Sequence, residues 1–238
     1  TAKEGDSTST AWPTNDYSNF QVFAVRQETD SNNVYFKLTS SQSPYPFPEL
    51  TSSIFTGVYD NQKWNLAVRI KPSTVSDRLS GSADASYTVD FYGVQMRGDI
   101  VESQFHVSGS ATSTKGKNFL RSAKRIYCGA RRTDFTGSTV NRSDVRVSSV
   151  RHWTKYLSND VIKDHARDPM NSGVDRPYES AYLHELSLED TRVPNIETLV
   201  LNWDFTNVTG SSNDASQPTV KDSIFYVDDI SSGSSNLT

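Results

Sequence analysis

From Phe20 onward, short segments with apolar residues at every second position follow one another along the chain. They are Phe20 to Arg26, Asn33 to Thr39, Trp64 to Lys71, Ser86 to Val94, Ile100 to Ser108, Arg125 to Cys128, Asp144 to Val150, Thr198 to Phe205 and Ser223 to Val227. A period of two predicts half-buried antiparallel strands. In the segment opened by Trp64, the residues Trp64, Leu66, Val68 and Ile70 are expected inward, with Asn65, Arg69 and Lys71 facing water. Phe91, Ile126, Val145, Val147, Val150, Trp153, Leu199, Leu201 and Trp203 complete the expected core. Turn formers punctuate the strands at Ser43–Pro48, Asp60–Asn61, Ser80–Asp84 and Lys115–Asn118. One segment carries a helical stripe. Ser158 can cap it, Asp160 lies in its first turn, Val161, Ile162 and His165 share a face, and Asp168-Pro169 ends it. The pattern therefore predicts an all-β, two-sheet antiparallel sandwich with one short helix near 158–167.

Length and composition narrow this picture. The 238 residues, 34% hydrophobic and 11% aromatic, supply enough apolar material for one large β domain. The expected organisation is a polar arm or connection over 1–19, anchored only by Trp12 and Tyr17, a sandwich over 20–230, and a Ser-rich linker over 231–238. No run is long and apolar enough for a membrane helix, so no membrane partner is expected. The single cysteine, Cys128, excludes an intramolecular disulfide and points to synthesis in a reducing cytoplasm. Net charge is −4, but residues 115–151 hold ten Lys and Arg against two Asp. That segment carries +8 and the remainder −12, so an acidic ligand or the acidic part of a neighbouring copy would be drawn to it. Solvated outer strand positions would give the same composition.

Little in the sequence carries chemistry. Glycosidase action needs paired carboxylates on one face. The best pair is Glu185 and Glu189, without further acidic residues in alternation. His106, His152, His165 and His184 lack the spacing of a zinc helix, and no serine sits in a nucleophile elbow. Cys128 reads as a small buried hydrophobe. Asp134, Asp144, Asp168 and Asp175 lie in or beside loops, where oxygen ligands for calcium need no contiguous motif; they read as solvated loop acids. Arg97-Gly98-Asp99 would resemble an adhesion tripeptide if displayed at a hairpin tip. Tyr45, Phe47, Tyr178 and Tyr182 are candidate aromatics for stacking on sugar rings. No catalytic residue, metal, cofactor or nucleic-acid partner is expected.

The run Arg125–Arg132, then Phe135-Thr136-Gly137, Asp144–Val147 and Val150–Lys163 resembles the closing half of a laminin-G-like domain of the concanavalin A-like group. There a strand ends in glycine, a Phe-x-Gly turn follows, then an Asp-Val-Arg-Ile type strand, then a short helix opened by Leu-Ser. Trp64–Pro72 and Ile196–Phe205 resemble further strands of that fold. With His165–Pro169 and Glu197–Phe205 included, the wording is similar to laminin-G-like modules inside virion structural proteins of marine tailed phages. The resemblance implies a jelly-roll sandwich in a non-enzymatic virion protein, contacting other copies or other virion proteins. The alternative it leaves open is a carbohydrate-binding module for attachment to a host-surface glycan.

Overall fold

The computed structural model describes residues 19–29, 31–40, 47–74, 86–121, 124–129, 131–132, 139–140, 146–168, 199–203, 208–209 and 219–220. Antiparallel sheets dominate them. The first sheet holds β1 (Gln21–Arg26), β2 (Asn33–Thr39) and β3 (Leu50–Thr56) in chain order. The second holds β4 (Trp64–Pro72), β5 (Tyr87–Arg97) and β6 (Ile100–Ala111), again in chain order. Three two-stranded pairs follow: β7 (Arg131–Arg132) with β8 (Thr139–Val140), β9 (Val150–Trp153) with β10 (Leu199–Trp203), and β11 (Val208–Thr209) with β12 (Thr219–Val220).

The two three-stranded sheets meet face to face, and alternation decides which side chains meet. Phe36, Leu38 and Leu50 from the first sheet pack with Val89, Phe91 and Phe105 from the second in one buried cluster. Trp64, Leu66, Val68 and Ile70 all pack against it from β4, so the predicted face is the observed one, half-buried rather than sealed. Phe36 lies 4.7 Å from Trp64 and 5.5 Å from Phe105 between ring centroids, within the range of favourable aromatic pairs. At Gly93 a Cβ would stand 2.2 Å from Cε1 of Phe105, so a hydrogen there makes room for the ring.

The second sheet uses its other face as well. Tyr92 and Val94 of β5 are buried there with Leu157, Val161 and Ile162, and Ala67, Met96, Val101 and Trp153 pack alongside. The last turns of this layer belong to α2 (Asn159–Arg167), the helix expected from the sequence. Ser158 caps it, its side chain accepting from the Val161 N–H, and His165 is buried against Trp153 with their rings stacked at 5.5 Å.

Several expectations are corrected. Lys115–Asn118 is not a turn: it lies inside a second helix, α1 (Ser113–Arg121), so α2 is not the only substantial one. Gly116 looks like a helix breaker, yet it lets α1 settle onto Tyr87, whose Cγ would be 2.3 Å from an added Cβ. Phe119 of α1 meets Phe20 and Phe47 at 5.0 and 5.6 Å. β3 was not legible, because its Thr-Ser-Ser centre weakens the apolar period. Residues 125–127 are irregular rather than a strand, and residues 146–149 are likewise outside any strand, with Val147 exposed. Ile126, Val150, Trp153 and Trp203 are half-buried, while Phe91, Leu199 and Leu201 are fully buried. Val145 and the strand expected over 223–227 lie outside the described residues.

Candidate interaction surfaces

The second face of the β4–β5–β6 sheet is divided. One half is apolar and covered by α2; the other carries Lys71 on β4, Thr88 and Asp90 on β5, and His106, Ser108 and Ser110 on β6. Register brings these residues together: Lys71 is opposite Thr88, Arg69 opposite Asp90, Asp90 opposite Ser108 and Thr88 opposite Ser110. Paired residues of antiparallel strands point to one face. His106, Ser108 and Ser110 are exposed.

A hydrogen-bonded network fixes this half. The Asp90 carboxylate is buried and accepts from the Tyr156 hydroxyl at 2.5 Å and from His106 Nε2 at 3.1 Å. Since a carboxylate oxygen accepts, Nε2 of His106 is the donor in this bond. The guanidinium nitrogen of Arg69 3.5 Å from Nε2 then has no lone pair to donate to. Arg69, read from the sequence as solvent-facing, is buried instead: it donates to the Leu157 carbonyl at 2.8 Å and ties β4 to the start of α2. Arg69 and Lys71 both lie over the Tyr156 ring, at 4.8 and 4.4 Å. Burial and the Asp90 hydrogen bond push the Tyr156 phenol up to about 12. Tyr92, bonded to Gln104 at 3.1 Å, is also raised, chiefly by burial.

A second surface lies on the first sheet. Among the described residues β1 is its edge strand, and in Val22-Phe23-Ala24-Val25 it presents four consecutive apolar residues, of which Val22, Phe23 and Ala24 are exposed. Tyr35 and Ile54 stand in the row that Val25 begins, and Ile54 is exposed. A strand that is apolar on both sides normally belongs inside a covered sheet.

The residues singled out in the sequence fare unevenly. Arg97-Gly98-Asp99 is at the β5–β6 hairpin tip, with Gly98 at φ 58°, but its charges are engaged: Arg97 with Glu102 at 2.8 Å and Asp99 with Arg167 at 3.0 Å. Phe47 is buried in the core, so it is no sugar platform. Cys128 is exposed, against the expectation of a buried hydrophobe, because no strand forms around it. Asp168 is the C-cap of α2. Tyr45, Asp134, Asp144, Asp175, Tyr178, Tyr182, His184, Glu185 and Glu189 lie outside the described residues. Of the basic segment, Lys124 meets the Phe119 ring at 4.9 Å and is lowered by burial, and Arg151 donates to Asn202 at 2.9 Å. Among the described residues no group of three His, Cys, Asp or Glu could hold a metal ion, and no helix is long and apolar enough to cross a membrane.

Sequence reasoning missed Asp90 and His106. The available signal was a carboxylate among the apolar residues of β5; the pairing that places His106 beside it is a matter of register. Comparison of the chain with protein-family models, with curated proteins and with solved structures finds no match.

Proposed function

We propose that this chain is a non-enzymatic structural and interaction module of the jelly-roll, concanavalin A-like kind, working inside a larger virion surface protein made in a host cytoplasm. The antiparallel sheets packed face to face support the architecture. The laminin-G-like wording of Arg125–Lys163 supports the fold family, and the fuller wording with His165–Pro169 and Glu197–Phe205 supports the virion setting. One observation carries the interaction reading: the apolar run Val22–Val25 on the edge strand, with side chains exposed to both sides of the sheet. Open edges are templates for strand addition, and β1 carries a charge only at its end, Arg26, leaving the apolar run itself unblunted. Sedimentation velocity over rising concentration tests this reading. Association that Phe23→Lys weakens while the melting temperature holds supports it; a monomer at every concentration, alone and with other virion proteins, overturns it.

A second reading, attachment to a host-surface glycan, is favoured by the polar half of the β4–β5–β6 face. His106, Ser108 and Ser110 make an exposed row of hydrogen-bonding groups on β6, the kind of group that orients sugar hydroxyls. A glycan array probed with the protein and with His106→Ala tests it. Binding lost in the variant supports attachment, and an array blank for both removes it.

A further inference from the structure

We propose that β1 is the contact through which two copies of this chain pair, antiparallel and about a two-fold axis at Ala24, joining two three-stranded sheets into one of six. The inference rests on the interaction reading above and adds the partner and the register.

Hydrogen bonding fixes which groups of β1 are open. The Gln27 N–H donates to the Asn33 carbonyl at 2.9 Å, so Gln27 and Asn33 form a hydrogen-bonded pair. Counting back in twos along the β1–β2 register, Val25 with Tyr35, Phe23 with Lys37 and Gln21 with Thr39 are bonded pairs as well. Val22, Ala24 and Arg26 are then the residues whose backbone N–H and C=O point away from β2. An independent observation agrees: the Phe36 N–H, opposite Ala24, turns to Ser52 Oγ of β3 at 2.9 Å. Among the described residues the Ala24 carbonyl on this edge accepts one long hydrogen bond, from the Tyr59 hydroxyl at 3.4 Å.

These three open residues are symmetric about Ala24. Two antiparallel copies set Ala24 opposite Ala24, Val22 opposite Arg26, and Phe23 opposite Val25. Every open backbone group in the strand is matched, and the small side chain stands on the axis. Charge selects the direction. In this pairing the two Arg26 side chains stand at opposite ends, about 13 Å apart for four strand residues; a parallel in-register pairing would stack them. On the outer face the row Ile54, Tyr35, Val25 of one copy continues into Phe23 of the other. The apolar residues of β1 thereby gain neighbours on the open side, as a strand apolar on both faces requires.

A six-residue strand buries less than a standard stable interface. Isolated modules should therefore associate weakly, on the order of 10–100 µM, and tightly only where a larger assembly holds many copies together. Tyr59 acts as a guard. Its hydroxyl occupies the central carbonyl of the edge and Arg26 lies 4.2 Å over its ring.

The test is oxidative cross-linking of the full chain in a Cys128→Ser background, since Cys128 is exposed and would pair by itself. Opposed Cα atoms stand about 5.5 Å apart at the hydrogen-bonded Ala24 pair and about 4.5 Å apart at the non-hydrogen-bonded Phe23–Val25 pair, both within disulfide reach. Ala24→Cys alone is expected to form a covalent dimer, as is an equimolar mixture of Phe23→Cys and Val25→Cys, whereas Val22→Cys alone is not. Tyr59→Phe should increase association by several-fold without lowering the melting temperature. If dimers form through Val22→Cys rather than Ala24→Cys, the two-fold register is wrong while the interaction reading stands; association that persists with no cross-link at β1 overturns the pairing and moves the contact off the edge strand. If Ala24→Cys links instead to Phe225→Cys within one chain, the strand is occupied by its own polypeptide and the proposal fails. A monomer at all concentrations overturns both.

Discussion

Tyr87 and Gly116 make a contact that only glycine permits, with an added Cβ 2.3 Å from the ring. Alanine would favour the helix by about 1 kcal/mol, but the overlap costs about 1–3 kcal/mol or more in displaced packing. Gly116→Ala is therefore expected to destabilise the protein, read as a lower urea midpoint at constant slope. An unchanged or higher midpoint would mean that α1 moves off Tyr87 without penalty. Tyr156 offers a pH-dependent test. Its folded phenol holds a proton to about 12, against 10.0 ordinarily, so this group favours the folded state fully below pH 10 and loses that contribution as pH rises through 12. Phenolate absorbance should show Tyr92 and Tyr156 titrating late, and Asp90→Asn should bring the Tyr156 step earlier by removing the acceptor carboxylate.

At the scale of elements, α2 shows how a short helix is stabilised by context. Nine residues are marginal alone; Ser158 satisfies one open N–H, and Val161 and Ile162 bury against Tyr92 and Val94. Val161→Asp places a charge in that contact and should cost about 2–4 kcal/mol. Ser158→Ala should cost about 1 kcal/mol, by loss of the cap alone. Denaturation of both variants separates the two contributions. Near-equal losses would mean that the apolar face of α2 is not what holds it. α2 was legible because cap, stripe and proline stop lie within a few residues of each other. α1 was not, since its Gly and Lys are turn signals and its reason to be helical is Tyr87, more than twenty residues away.

For the molecule as a whole, the +8 carried by residues 115–151 against −12 elsewhere makes attraction between copies salt-sensitive. Arg131→Glu, Arg132→Glu and Arg142→Glu combined should weaken association at low salt, and added salt should weaken the parent protein, in both cases without unfolding. Sedimentation across ionic strength, paired with melting curves, measures this. Association indifferent to both changes leaves the basic segment as a solvated face and puts the burden on the apolar edge.

The sequence by itself determined the strands that alternate strongly, their inward faces and the one self-capped helix. In β2, β4, β5 and α2 the deciding forces act between residues two to four apart. Tertiary structure decided the rest. Arg69 reads as a water-facing residue of β4 until α2 covers that face and Leu157 offers it a carbonyl. Asp90, His106 and Tyr156 are far apart in the chain, and only strand register and the approach to α2 make them one network. The apolar run of β1 was plain in the sequence as a strand. That it lies at an edge among the described strands, with the backbone of Val22, Ala24 and Arg26 turned away from β2, follows from which strand paired with which, and no local pattern encodes that choice.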